Sequence, residues 1–161
     1  MKQNTTMESK PSEVPTSLDE KTTLRSLQRW SNANQKWACL TCYDATTAKL
    51  MSKAGIPALL VGDTASEIIL GFDSTIHAPI DFLITLTSGV KRGAPRAFVI
   101  GDMPFLSYQT DESSAIENAG RFMTEGHADA IKLEVDGFWT SRFEVICKTG
   151  IPTIAHLGSK P

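Results

Sequence analysis

The feature that most constrains the fold of this chain is a repeated alternation of short apolar runs with segments of helical period. Such alternation is typical of parallel β/α units. Five apolar runs are predicted to be strands, and a short helix at residues 22–30 is predicted to precede them. The predicted strands span residues 37–43, 58–62, 97–101, 130–133 and 153–156.

The segments between the strands carry apolar side chains at helical spacing, and each ends at a glycine. Asp44 is the expected N-cap of the first of these helices, and Thr140 or Ser141 is the expected N-cap of the last. The stripes are Ala48, Met51 and Ala54 before Gly55; Leu83, Leu86 and Val90 before Gly93; Ala115, Ala119, Phe122 and Met123 before Gly126; and Phe143 and Ile146 before Gly150.

An ionisable residue stands at or just after the end of every predicted strand. In barrel enzymes, the catalytic groups lie at the carboxyl ends of the strands. The chain also lacks the G-x-G-x-x-G fingerprint of a dinucleotide-binding sheet, so we favour a closed barrel over an open sheet. The five ionisable residues are Asp44, Asp63, Asp102, Glu134 and His156. Helix capping accounts well for Asp44.

Two of these carboxylates follow a glycine in matching strings, Val-Gly-Asp at 61–63 and Ile-Gly-Asp at 100–102. Glycine allows close approach of a neighbouring backbone or a ligand. Asp63 and Asp102, on adjacent strands, would repel each other unless a cation lay between them, and oxygen ligands favour magnesium over zinc. Glu134 is the candidate that completes this metal site. The alternative is that the carboxylates only cap helices.

Lys132 and Glu134 are two residues apart and should point to the same side of their strand. A buried lysine is costly unless it is paired. Lys132 is therefore either one half of a buried salt bridge with Glu134 or a cation that holds a substrate carboxylate. His156 is either a hydrogen-bonded core histidine or part of the site.

Several strings in register carry a family resemblance. LTCYDATTAKL, ALLVGDT, LGFDST, VKRGAPRAFVIGDMPFLSYQT, AIKLE and PTIAHLG occur in the order typical of ketopantoate hydroxymethyltransferases. The resemblance covers roughly residues 22–161. It implies a (β/α)8 TIM barrel of the phosphoenolpyruvate-binding type, of which about five β/α units are present, whereas a complete barrel has eight in about 250 residues. We therefore expect an N-terminal part, with a disordered polar tail at 1–20 and a partial catalytic domain at 21–161.

The resemblance also implies roles for the site residues. It implies Mg²⁺ held by Asp63 and Asp102 with Glu134 close to the metal. The substrate-binding set is Asp63, Thr64, Asp102 and Lys132. Lys132 and His156 are the catalytic candidates, and the general base is expected on a later strand, beyond this chain. Thr64 stands where the family usually has serine, and Val135-Asp136 replaces a usual glycine pair.

The implied reaction transfers a hydroxymethyl group from 5,10-methylenetetrahydrofolate to 3-methyl-2-oxobutanoate through a magnesium-stabilised enolate, giving 2-dehydropantoate. Two alternatives stay open. One is an inactive remnant that binds metal and keto acid or assembles with full-length subunits, and the other is a carbon–carbon lyase of the same superfamily. A full-length chain is expected to be a homo-oligomer, and the activity of these 161 residues alone is an open question.

Composition argues against two classes of partner. Sixteen basic and 18 acidic residues give a net charge of −2, which offers no case for nucleic-acid binding. The basic cluster around Lys91, Arg92 and Arg96 is interpreted as a solvated turn. No run approaches the roughly 18 apolar residues of a membrane span, so a cytoplasmic protein is expected. Cys39 and Cys42 are interpreted as structural cysteines facing opposite sides of a strand.

Overall fold

A computed structural model describes residues 20–158 of the chain. The tail predicted at 1–20 therefore lies outside the described residues except for Glu20. The described part is a parallel five-stranded sheet whose strand order follows the chain order, β1-β2-β3-β4-β5. The strands are β1 Cys39–Thr41, β2 Ala58–Val61, β3 Phe98–Asp102, β4 Ala130–Glu134 and β5 Thr153–His156. The helices are α1 Leu24–Asn32, α2 Ala45–Lys53, α3 Ala65–Leu70, α4 Ile80–Gly93, α5 Glu112–Thr124 and α6 Thr140–Lys148, with a 3-10 turn at Thr75–His77.

All five predicted strands are present, but the first differs from its prediction. It was predicted as a buried strand over 37–43, whereas β1 is only Cys39–Thr41 and all three of its residues are exposed. Within the described residues, β1 pairs with β2 alone and is therefore an edge strand. Cys42, just beyond it, is buried and Cys39 is exposed. The two thiols are both free, and Cys42 lies outside β1, so the two cysteines do not share a strand as predicted.

Helix starts agree with the sequence in one case and disagree in another. Asp44 caps α2 as predicted, because its side chain accepts a hydrogen bond from the backbone of the first turn. The N-cap of α6 is Trp139, so the prediction of Thr140 or Ser141 was wrong. The reason is an earlier turn, in which Asp136 Oδ1 accepts the Trp139 N–H at 3.1 Å. None of the described helices is long and apolar enough to cross a membrane.

Neither α3 nor the 3-10 turn that follows it was predicted from the sequence. A surface helix is recognised by an apolar stripe on one face. In α3, Ile68, Ile69 and Leu70 are consecutive and all exposed, at 66%, 47% and 43%. Three adjacent apolar residues spread around the helix and produce no periodic signal, so pattern analysis cannot locate it.

The two faces of the sheet have different coverings. Side chains on a strand alternate between faces, and one set packs outward against the helices. The other set faces inward, where α1 covers its amino-terminal half with Leu27 and Trp30. Both of these are buried together with inward-facing side chains of β2, β3 and β4. The inward-facing carboxyl-terminal half is left open, and a pocket lies there. The buried outward set includes Leu59, Val61, Val99, Ile131 and Leu133.

An ion pair joins elements at the amino-terminal ends of the strands. Lys91 Nζ lies 2.5 Å from Asp129 Oδ2 and donates to the carbonyl of Ala97 at 2.9 Å. Asp129 Oδ2 also accepts the backbone N–H of Val99 at 2.9 Å. Lys91, one of the residues in the basic cluster, is thus fixed by an acidic partner at the end of the sheet opposite the pocket.

Candidate active site

A cavity of about 310 Å³ opens at the carboxyl ends of the strands. Every residue predicted for the metal, substrate and catalytic roles lines it, whereas Asp44 caps α2 instead. Convergence of polar groups from several strands in one concave site is the usual form of a small-molecule site. The lining residues are Thr41, Leu60, Gly62, Asp63, Thr64, Thr75, Asp102, Lys132, Glu134 and His156.

An ion pair between Asp102 and Lys132 forms one wall of the pocket. The two residues are direct cross-strand partners in the register of β3 and β4. Their side chains therefore project to the same face, and Lys132 Nζ lies 2.6 Å from Asp102 Oδ1. Only 4% of the Asp102 side chain and 14% of the Lys132 side chain are exposed. A short, shielded pair of this kind holds both groups in one geometry.

Burial of Asp102 makes its ionised form costly. Loss of solvent raises the pKa of Asp102 to about 6, although the Lys132 ammonium works in the opposite direction. The negative charge of Asp63 raises it further. The backbone N–H of Asp63 donates to Asp102 Oδ2 over a long 3.4 Å. The pocket therefore concentrates more negative charge than Lys132 alone neutralises, and a cation would be stabilised there.

Glu134 and His156 form a second cross-strand pair, between β4 and β5. His156 Nδ1 lies 3.3 Å from Glu134 Oε1, and the other carboxylate oxygen, Oε2, is buried with no hydrogen-bond partner. Lys132 bonds Asp102, so the Lys132–Glu134 salt bridge is not the arrangement found. The His156 side chain is 42% exposed and lines the pocket, so it is not a core histidine.

The donor atoms of the pocket fit a magnesium ion. Within residues 20–158, no three His, Cys, Asp or Glu side chains converge as a ready-made metal cluster. Magnesium does not require one, because it binds through one or two carboxylates and completes its shell with water and substrate oxygens. Asp63 and Asp102 line the pocket and would supply two such carboxylates, and the unpartnered Oε2 of Glu134 is a further acceptor. The three-carboxylate centre stays a prediction.

The glycines that precede the two aspartates have different roles. A Cβ on Gly101 would lie 2.4 Å from Cδ1 of Phe122, so the glycine is needed for α5 to pack on the outer face. A Cβ on Gly62 would meet Asp102 Oδ2 at 3.7 Å, which is an ordinary contact. Close approach is therefore required at Gly101, and it is made by a helix side chain.

Sequence reasoning missed several lining residues. Thr41 and Leu60 lie on the inward face, and a period of two counted back from Gly62 along β2 would have found Leu60. Thr75 comes from the unpredicted 3-10 turn; it ends the LGFDST string, but no periodic pattern assigned it to the site. Tyr108 is a further neighbour: its hydroxyl donates to the backbone carbonyl of Glu134 at 3.1 Å, and burial raises its pKa to about 12.

A sequence profile described as ketopantoate hydroxymethyltransferase matches residues 21–161. The chain belongs to the ketopantoate hydroxymethyltransferase family. It is 45% identical over 135 residues to the 3-methyl-2-oxobutanoate hydroxymethyltransferase of Mycobacterium tuberculosis. This alignment covers 84% of the chain and 48% of that protein. It is 42% identical over 151 residues to the enzyme of the same name from Frankia casuarinae, covering 94% of the chain and 51% of that protein. The chain thus spans about half the length of these curated relatives.

Solved structures confirm the predicted fold class for this family member. A crystal structure of 2,3-dimethylmalate lyase, a member of the PEP mutase/isocitrate lyase superfamily, matches with a TM-score of 0.66 at 18% identity, over 84% of the chain and 52% of that protein. Oxaloacetate acetylhydrolase matches with a TM-score of 0.61 at 15% identity, over 86% of the chain and 53% of that protein. The likeness shows the fold, an α/β TIM barrel, of which the described residues form five parallel strands.

Proposed function

We propose that this chain carries the keto-acid site of an enzyme that transfers a hydroxymethyl group from 5,10-methylenetetrahydrofolate to 3-methyl-2-oxobutanoate, giving 2-dehydropantoate. One observation supports this most directly, the buried Asp102–Lys132 pair at 2.6 Å in a pocket that also contains Asp63 and Glu134. A 2-oxo acid offers a carboxylate and an adjacent keto oxygen. These two groups match a pocket that combines a cation with oxygen ligands for a metal.

Lys132 and Thr64 are the groups proposed to hold the substrate carboxylate. The Lys132 ammonium is fixed on Asp102, and a fixed cation attracts an anion at low entropic cost. The Thr64 side chain lines the same cavity and supplies a hydroxyl donor. Together they would orient the acid so that its keto oxygen points towards the aspartates.

Asp63 and Asp102 would hold the magnesium ion. When bound, the ion polarises the keto group and so acidifies the neighbouring C–H bond. The role of the two aspartates is to fix its position, and the role of Glu134 is to accept hydrogen bonds or support the outer shell through its free Oε2.

His156 is proposed to position and exchange protons at the open side of the pocket. Its Nδ1 is held by Glu134 at 3.3 Å, which leaves Nε2 as the ring atom available to the substrate. Imidazole is the side chain best suited to proton exchange near neutral pH. The carboxylate at Nδ1 fixes the ring orientation, a common arrangement for a histidine that acts on a ligand.

The experiment that tests the keto-acid site is isothermal titration of 3-methyl-2-oxobutanoate into the chain, with and without magnesium. We expect binding that depends on the metal and is abolished in Asp102→Ala. Asp81→Ala is the matched control, because the Asp81 side chain is 80% exposed on α4 and its ion pair with Arg121 is a surface one. Equal heats with and without magnesium in a folded sample would contradict the proposal.

Product formation separates the transferase from its alternatives. Transfer requires 2-dehydropantoate to form only when the folate donor is present. A carbon–carbon lyase would act on another 2-oxo acid without a folate, and a non-catalytic protein would bind the keto acid with no turnover. The 2,3-dimethylmalate lyase likeness is at 18% identity and concerns the fold alone, so it does not favour the lyase.

A further inference from the structure

Phe138 lies in the loop between β4 and α6 and is 78% exposed. It follows Glu134 by four residues, so it belongs to the carboxyl edge of the sheet, where the pocket opens. A single exposed apolar residue is ordinary on a protein surface. Phe138 is distinguished by the rings that support it.

Three aromatic rings form a continuous cluster from the buried Tyr108 to the surface. The Phe138 and Trp139 ring centroids are 5.0 Å apart with planes at 84°, and those of Tyr108 and Trp139 are 6.4 Å apart at 84°. Tyr108 in turn donates to the carbonyl of Glu134 at 3.1 Å. A perpendicular contact covers at most one face of the Phe138 ring. The other face is free for a parallel stack.

The loop that presents Phe138 is held by hydrogen bonds. Asp136 Oδ1 accepts the backbone N–H of Phe138 at 2.9 Å and that of Trp139 at 3.1 Å. The Thr140 hydroxyl donates to the Asp136 carbonyl at 3.1 Å. A loop held in this way loses little backbone freedom when a ligand binds, which lowers the cost of contact with the Phe138 ring.

We propose that Phe138, supported by Trp139, is a stacking platform for the flat pyrimidine ring of the pterin in the one-carbon donor. This inference rests on the function proposed above. The cavity of about 310 Å³ lies at the small end of the range for drug-sized ligands, roughly 300–1,000 Å³. A keto acid occupies its charged interior, so the larger donor has to approach from the open edge. Phe138 stands on that edge, and aromatic side chains bind flat heterocycles by stacking.

The test is titration of three probes into the full chain with magnesium present. Folic acid carries a flat pterin that contains the same pyrimidine ring as the donor, p-aminobenzoylglutamate carries the same tail without the pterin, and phenylpyruvate is an aromatic keto acid. We expect Phe138→Ala to weaken folic acid binding about tenfold, the scale of one lost ring stack, and to leave the tail fragment unaffected. Phe138→Tyr keeps a ring and should bind within about twofold of the parent. Leu50→Ala, a change at a residue 63% exposed on α2, is the matched control and should have no effect.

Other titration results would contradict the proposal, and each would identify which part of it is wrong. The platform is overturned if folic acid binds Phe138→Ala as it binds the parent chain, if it binds neither, or if the tail fragment loses as much affinity as folic acid. A loss confined to phenylpyruvate would assign the ring contact to a keto acid and overturn the donor assignment. Titration of 3-methyl-2-oxobutanoate on the same samples separates the two proposals, because absent keto-acid binding refutes the proposed function and intact binding leaves only the platform in question.

Discussion

Replacement of Lys132 by methionine should destabilise the folded chain in a pH-dependent way. Methionine retains the approximate length of the side chain but leaves Asp102 as a buried carboxylate without a cation. Even with Lys132 present, burial raises the pKa of Asp102 from 3.8 to about 6. At about 1.36 kcal/mol per pKa unit, ionised Asp102 already costs roughly 3 kcal/mol of stability at neutral pH. Removal of one partner of a buried pair typically costs about 3–5 kcal/mol. The substitution also removes the cost of burying the Lys132 ammonium. We therefore expect the free energy of unfolding to fall by about 3 kcal/mol.

The sign of the pH dependence follows from the direction of the shift. The pKa of Asp102 is higher in the folded state than in the unfolded state, so between the two values the folded state binds more protons. Stability from this group therefore rises as the pH falls from neutral towards 4. In Lys132→Met the pKa of Asp102 rises further, since Lys132 acts to lower it. The deficit of the variant should be largest above the parent's pKa of about 6 and should shrink below it.

Urea denaturation in metal-free buffer at about pH 7.5 and about pH 5 measures this effect. Lys53→Met, at an exposed residue of α2, controls for the substitution itself. The double variant Lys132→Met with Asp102→Asn removes the buried charge and should recover at least half of the lost stability. A deficit that is the same at both pH values, or a double variant no more stable than Lys132→Met, would refute this reasoning.

Two further variants test the fold around the site. Gly101→Ala places a Cβ 2.4 Å from Phe122 and should cost about 1–3 kcal/mol in urea denaturation, whereas Gly62→Ala, with its nearest contact at 3.7 Å, should cost less; equal losses would contradict the assigned packing role. Asp44→Ala should cost about 1 kcal/mol through loss of the α2 cap. Hydrogen bonds from Thr47 hold the pKa of Asp44 below 3.8, so its charge-dependent stabilisation is present above that value and is lost as the pH falls through the lowered pKa. Asp44→Asn lacks this titration, and a parent chain with the same acid profile as Asp44→Asn would refute the assignment.

The positions of the site residues along the chain could be predicted because each follows from local pattern. Short apolar strands alternate with helical stripes, and parallel strands bring their carboxyl ends to one edge, so Asp63, Asp102, Glu134 and His156 had to converge if the sheet formed. All four line one cavity. Only the strand order and the alternation of faces are needed to bring these four side chains together.

The pairing among those residues could not be predicted, because it depends on register between strands. A two-residue spacing places Lys132 and Glu134 on the same side, which left a salt bridge between them as one interpretation. The register instead sets Lys132 beside Asp102 and Glu134 beside His156. Inter-strand register is a property of the folded sheet, and the spacing of residues within a single strand does not determine it.

Two local features were also not predicted correctly, the N-cap of α6 and helix α3. The N-cap of α6 is Trp139 because Asp136, three residues earlier, accepts its backbone N–H and forms a turn there. Thr140 and Ser141 were predicted instead because threonine and serine are preferred at N-caps. Helix α3 carries its apolar residues in one block, so periodicity did not identify it.

The sequential strand order has a consequence for folding kinetics. Every sheet pairing among the described strands joins chain neighbours, so no pairing has to wait for a distant segment. Loops of moderate length close at a low entropic cost. During synthesis, each β/α unit can dock on the one already formed, in the order in which it leaves the ribosome. The wall that holds Asp102 is then in place before Lys132 arrives, and arrival of β4 both extends the sheet and neutralises the buried carboxylate.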